Sequence, residues 1–269
     1  MSKEGKIRAS VHFATGLAMV LAAAVLSSFV PNSRFGRQMD MSNLDSWFRA
    51  GKSDVDQRIV VVEITDADYA GPMFRRACPL PVDGVGKLLR AVALSGPKLI
   101  AVDLDTAHWT SAERTAIRTL AEPAQIAWAI GGWEDAQGNV NLESMAGEGS
   151  CFGVPASLPD EYGVVRGFLP YVPQKGVPVP SLAIVASRIY AGEGCTSEAR
   201  APVSAALPPA ELIDYSGGPD RFVHLTAATL FGAADTEAWR KSNPVQGKIA
   251  VVEGVWKESM RSCLHHPNE

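Results

Sequence analysis

Four aspartates follow two apolar runs of the sequence and could form one site. The first apolar run, 58–66, ends at Asp66, and Asp68 follows two residues later. The second run starts at Lys98 and ends with Asp103 and Asp105. Runs of this kind are typical of strands in a parallel sheet, where ligands bind outside the carboxyl ends of the strands. Because we expect these two strands to be neighbours, we expect the four carboxylates to lie at one edge.

Carboxylates grouped at such an edge could contact a ligand, hold a divalent cation or do acid–base work. The plainer interpretation is that they end the strands, cap the helices that follow and stay solvated. A fifth residue, Arg166, could hold an anion or contact the aspartates through its guanidinium fork. The plainer interpretation of Arg166 is a structural ion pair with Asp160 or Glu161. We predict five ligand-binding residues, which are Asp66, Asp68, Asp103, Asp105 and Arg166. We expect no catalytic residue, no metal site and no cofactor.

The elements that must position these residues alternate between strands and helices in the first half of the chain. The predicted order is a strand at 58–66, a loop at 66–72, a helix at 81–95, a strand at 98–105, a helix at 111–121 and a strand at 125–131. Such alternation predicts an α/β fold. We expect a mixed, mostly parallel sheet covered by helices on both faces and preceded by one N-terminal transmembrane helix.

The second half of the chain contains more glycine and proline. It predicts a loop with short strands at 132–157, an edge strand at 163–172 that includes Pro170, and a helix from Leu182 that Ser181 caps. A short strand at 211–215, a short helix from Thr226 and a final strand at 247–254 complete the pattern.

The segment between Arg8 and Arg34 contains no charged residue, and about 20 apolar residues suffice to cross a bilayer. We predict a membrane anchor at residues 11–31, although a cleaved signal peptide and a buried soluble helix also fit this composition. The basic residues before the segment place residues 1–10 in the cytoplasm. The bulk of the chain is then expected outside the cytoplasm, after a single membrane span.

Composition and motifs exclude several classes of function. The net charge is −4 and no run is rich in lysine or arginine, which argues against a nucleic-acid partner. The sequence has no G-x-S-x-G, Walker A or zinc-binding H-E-x-x-H motif, so we do not expect an enzyme.

The four cysteines form no C-x-x-C pair. In an oxidising compartment they could form disulfides, and Cys151 with Cys195 is the preferred pair because both flank one middle segment. Buried free thiols are the alternative.

Taken in order, several segments resemble the CHASE2 family of bacterial extracytoplasmic sensory domains over about residues 11–267. They are the anchor, 59–66, the helix from Pro81, 98–103, 160–166, 180–183, 212–215 with Gly217 and Gly218, and 247–254.

The resemblance implies a sensory or input domain at residues 36–269, which lies in the periplasm and is anchored by a single span in the bacterial inner membrane. Such a domain detects a small molecule or a protein and passes the signal across the membrane through a fused or partner output module. The alternative is a structural or scaffolding subunit of a membrane complex. Single-span receptors often work as dimers, so we also expect a homo-oligomer.

Overall fold

The structure, a computed structural model, describes only part of the chain: residues 56–77, 80–104, 106, 109–122, 124–134, 140–142, 151–159, 165–174, 177–194, 211–212, 222–233 and 236–254. All of them fall within one structural unit, formed by Val55–Ile213 and Pro219–Glu269. The predicted anchor at 11–31 lies outside the described residues. None of the helices in the described ranges is long and apolar enough to span a bilayer.

Strands and helices alternate along the described chain. In the first part they are β1 (Ile59–Ile64), α1 (Asp66–Ala70), α2 (Val82–Leu94), β2 (Leu99–Asp103), α3 (Ser111–Ala121), β3 (Gln125–Ala129), β4 (Gly132–Glu134), β5 (Val140–Leu142) and β6 (Cys151–Gly153). In the second part they are β7 (Ser157–Pro159), β8 (Val165–Phe168), β9 (Tyr171–Gln174), β10 (Val177–Pro180), α4 (Leu182–Ala191), β11 (Glu211–Leu212), β12 (Val223–Thr226), α5 (Ala227–Ala233), α6 (Glu237–Ser242) and β13 (Ile249–Gly254).

Six strands form the main sheet in the order β12-β1-β13-β2-β3-β6. All five strand pairings in this sheet are parallel. The antiparallel pairings that we expected within one mixed sheet lie instead in separate small sheets, β11-β8-β7, β10-β9 and β4-β5. The α/β class is therefore confirmed, and the main sheet is more regular than the sequence predicted.

Helices pack on both faces of this sheet, as expected. On one face, side chains of α2, α3 and α5 share a buried core with Val60, Val62, Val102 and Val252. On the other face, α4 packs on Leu99, Ala101, Ala127 and Ala129. Both faces are apolar because successive side chains of a strand point to opposite sides, and a central parallel strand is covered on each.

Side-chain caps fix where most of these helices begin. Thr110 accepts a hydrogen bond from the Glu113 amide, and the Glu113 carboxylate accepts one from the Thr110 amide, which forms a capping box at α3. Ser181 caps α4 as predicted, by accepting from the amide of Ile184.

The start of α4 lies against the end of β6 with almost no space between them. A Cβ atom at Gly153 would lie 2.6 Å from the Leu182 Cα atom. Glycine is therefore required for α4 to approach the sheet at this point.

Three sequence predictions are wrong in detail. Residues 66–72 were expected as a loop, but α1 forms there because Thr65 and Asp68 make a capping box. The expected edge strand at 163–172 is two strands, β8 and β9, and Pro170 lies between them. The ends of β1 and β2 were expected to be neighbours, but β13 pairs with both and separates them.

Candidate functional site

Three neighbouring strands of the main sheet carry an acid at the same level near their carboxyl ends. Glu63 of β1 pairs with Glu253 of β13, and Glu253 pairs in turn with Asp103 of β2. Because parallel strands in register direct paired side chains to the same face, these three carboxylates form a row across the middle of the sheet. We call this set the carboxylate row.

The valine directly before each acid shows which face of the sheet the row occupies. Val62, Val102 and Val252 are buried in the core beneath α2, α3 and α5. Since side chains alternate along a strand, the acids that follow these valines point to the opposite face. That face also carries α4, which contacts β2, β3 and β6.

The central member of the row is Glu253. Burial raises the pKa of its carboxyl, and the neighbouring Asp103 and Glu63 raise it further, whereas His224 acts in the opposite direction. Desolvation by the surrounding protein also raises the pKa of Asp103, although that residue is exposed at the end of β2. Both shifts have the expected sign, because burial and like charges disfavour the ionised form of a carboxyl.

Glu63 differs from the other two acids because it has a close partner. Its Oε1 atom lies 2.5 Å from Nδ1 of His224 on the neighbouring strand β12. Both side chains are partly exposed, with 21% of the Glu63 side chain and 39% of the His224 side chain accessible to solvent. Within the described part of the chain, the carboxylates of Glu253 and Asp103 make no hydrogen bond or ion pair.

The predicted residue Asp68 has a structural task. Its Oδ2 atom accepts hydrogen bonds from the amide and the hydroxyl of Thr65, at 2.9 and 2.7 Å. Its Oδ1 atom accepts from the Ala228 amide at 3.0 Å, which ties α1 to the first turn of α5. The plainer interpretation, in which an acid caps the next helix, is therefore realised at this residue.

The other predicted site residues have different positions. Asp66 is exposed in the first turn of α1, and Asp103 alone joins the carboxylate row. Asp105 lies outside the described residues. The backbone of Arg166 is part of β8, but its side chain lies outside the description. Ligand binding by these five residues remains a prediction.

Neither Glu63 nor Glu253 was predicted as a site residue, although a repeated pattern in the sequence indicates both. In each of the three strands an acid directly follows a buried valine: Val62 with Glu63, Val102 with Asp103 and Val252 with Glu253. An acid inside an otherwise apolar strand is less common than an acid after its end, and this repetition would have indicated the row.

A second feature of the same sheet edge is a pair of buried polar atoms in the turn after β2. Thr106 Oγ1 and Trp109 Nε1 have no hydrogen-bond partner in the described part of the chain. Thr106 and Trp109 are only 3% and 4% exposed, and the Trp109 ring packs edge-to-face on Trp128 at 6.0 Å. Buried polar groups are normally hydrogen-bonded, so a water molecule or a ligand atom would fit here.

Among the described residues, no group of three or more metal-ligating side chains has a geometry that could hold a metal ion. Cys151, at the start of β6, is disulfide-bonded, and its partner lies outside the described residues. Free thiols are thereby excluded for Cys151, whereas its pairing with Cys195 stays a prediction.

Comparison with known proteins gives one match. The model of the CHASE2 domain family matches residues 17–267, which is nearly the whole chain. No curated protein and no solved structure matches it.

Proposed function

Since this chain belongs to the CHASE2 family of extracytoplasmic sensory domains, we propose that it is a membrane-anchored input domain of bacterial signal transduction. It is held by a single span at residues 11–31, and its sheet lies in the periplasm. It has no enzymatic activity of its own. It binds a small-molecule or protein signal and passes the signal to a fused or partner output module, working as a homo-oligomer.

One observation carries the proposal beyond family membership, namely the carboxylate row. Its members project from the carboxyl edge of a parallel sheet, which is where open α/β folds bind ligands. Glu253 and Asp103 have raised pKa values and no hydrogen-bond partner among the described residues. A purely structural acid would be expected to cap a helix or form an ion pair, as Asp68 does.

The row also separates the sensory function from the alternative, a scaffolding subunit. A scaffold needs the fold and an assembly surface but has no use for three adjacent acids, because like charges on neighbouring strands destabilise a sheet. A sensor needs groups whose interactions change when the signal arrives, because only differential interaction shifts an equilibrium.

The test compares RNA profiles of four strains: wild type, a deletion strain, and deletion strains complemented with the wild-type chain or with the triple variant Glu63→Gln, Asp103→Asn, Glu253→Gln. Membrane levels of the chain are matched by immunoblot. We expect the triple variant to reproduce the deletion profile. If it restores the wild-type profile, the row carries no signal and the scaffold is the better description.

Localisation requires its own experiment. Alkaline phosphatase fused after Glu269 is active only outside the cytoplasm, and a green fluorescent protein fusion at the same residue fluoresces only inside. We expect phosphatase activity in the membrane fraction. Fluorescence without phosphatase activity would contradict the proposed placement of the domain.

A further inference from the structure

We propose that the carboxylate row is a proton-binding site through which the carboxyl edge of the sheet responds to pH. This inference deepens the proposed function and relies on it for one point, that the edge faces the extracytoplasmic medium. Neighbouring strands lie about 4.8 Å apart, and Glu253 has an in-register acid on each side. Like charges directly opposite each other destabilise a sheet, so the row favours at least one protonated member.

Among the residues that the structure describes, the groups nearest Glu253 in the sheet are two acids and one histidine. β1 contributes Glu63, β2 contributes Asp103, and His224 of β12 lies beyond Glu63 and hydrogen-bonds to it. These three residues are the ones that act electrostatically on Glu253. Because the imidazole is bonded to the outer acid, the central acid has no cation of its own in the described part of the chain.

The charged side chains of α4 and α1 contact residues other than those of the carboxylate row. On α4, Arg188 donates to the Tyr171 hydroxyl and lies 4.0 Å from Glu193, near the end of the helix. Tyr190 stacks under the Lys98 ammonium, which precedes β2 and lies at the opposite, amino edge of the sheet. The carboxylate of Asp68 on α1 is already bonded to Thr65 and Ala228. None of these residues neutralises the row.

The direction of the pH effect follows from the raised pKa values of Glu253 and Asp103. A carboxyl with a raised pKa in the folded protein binds its proton more tightly there than in the unfolded chain. Its stabilising contribution is complete below the ordinary carboxyl pKa and is lost as pH rises through the raised value. Acidification therefore tightens the carboxyl edges of β1, β13 and β2, and a rise in pH loosens them.

The test measures melting temperature for the full chain in lipid nanodiscs between about pH 4, below the ordinary carboxyl pKa, and about pH 8. Glu253→Gln keeps the shape of the protonated acid without its charge. The difference in melting temperature between this variant and wild type should increase by about 2–5 °C from the lower to the higher pH. Asp103→Asn should act in the same direction. Glu122→Gln is the matched control, since Glu122 is exposed after α3, and its difference from wild type should not change with pH.

A second measurement localises the effect. Hydrogen exchange of peptides that contain β1 and β13, corrected for intrinsic rates, should be faster at high pH in wild type but not in Glu253→Gln. The inference is overturned if the variant and wild type keep a constant difference across the pH range. It is also overturned if millimolar Ca²⁺ raises the wild-type melting temperature at high pH while pH alone produces no difference from Glu253→Gln, because the row is then a cation site. These results concern the purified chain and are independent of the localisation and complementation experiments.

Discussion

Glu253 of β13 lies directly opposite Asp103 of β2, and both carboxyls have pKa values above the ordinary range. The pair sits at the carboxyl edge of a parallel sheet in a chain of the CHASE2 family. The strand order places these acids side by side, because β13 lies between β1 and β2 and pairs with both.

Replacement of Asp68 by alanine should lower stability by about 1–3 kcal/mol. The carboxylate satisfies the Thr65 amide at the start of α1 and the Ala228 amide of α5, and both amides lose a charged acceptor. Urea unfolding measures the change. Asp66→Ala is the matched control, since Asp66 is exposed in the same helical turn, and it should cost less than about 1 kcal/mol. Equal losses in the two variants would contradict the structural role of Asp68.

Replacement of Ser95 by alanine should destabilise the protein by about 1–3 kcal/mol, because the Trp239 Nε1 donor loses its acceptor. Ser95 is buried after α2, and its hydroxyl accepts from Trp239 at 3.1 Å and donates to the Ala91 carbonyl. Ser242→Ala provides the comparison, because that hydroxyl is exposed on α6 and bonds only within its helix. Thermal melts that shift equally for both variants would show that the contact of α6 with Ser95 contributes nothing.

Gly153→Ala and Gly232→Ala should change stability in opposite directions. A methyl group at residue 153 collides with the backbone of Leu182, so α4 must move away from β6 at a cost of about 2 kcal/mol or more. A methyl group at residue 232 in α5 meets no atom within 4 Å, and alanine favours a helix over glycine by up to about 1 kcal/mol. Chemical denaturation of both variants checks the pair. A neutral Gly153→Ala would contradict the close packing of α4.

Thr106→Val tests whether the buried hydroxyl after β2 has a partner that the protein itself does not supply. The hydroxyl has no acceptor or donor among the described residues, so the isosteric valine should leave stability unchanged or raise it slightly. Thr110→Val, which removes the cap of α3, should instead cost about 1 kcal/mol. A loss above about 1 kcal/mol for Thr106→Val would show that a bound water or ligand normally completes this site.

Much of the fold was predictable from local patterns. The apolar runs predicted β1, β2, β3 and β13, and the cap at Ser181 predicted where α4 begins. Strand order was not predictable, because an apolar run shows that a strand is buried without showing which strand is its neighbour. For this reason the position of β13 between β1 and β2 could not be predicted.

The site was predictable only in part for the same reason. Asp103 was recognised because an acid at the end of a strand is visible in the sequence, but its partners come from residues 40 positions before it and 150 after it. The capping role of Asp68 matches the plainer interpretation of the aspartates, and the spacing of Thr65 and Asp68 is that of a capping box.

The most direct test of the central claim, that the carboxylate row binds a proton, is a titration of the Glu253 carboxyl itself. Infrared difference spectra of the full chain, compared with spectra of Glu253→Gln, isolate the protonated carboxyl band of this residue as pH changes. We predict a pKa above the ordinary glutamate value of about 4.3, and a lower value in the Asp103→Asn variant because one neighbouring charge is removed. An ordinary or lowered pKa, or one that Asp103→Asn leaves unchanged, would contradict the claim.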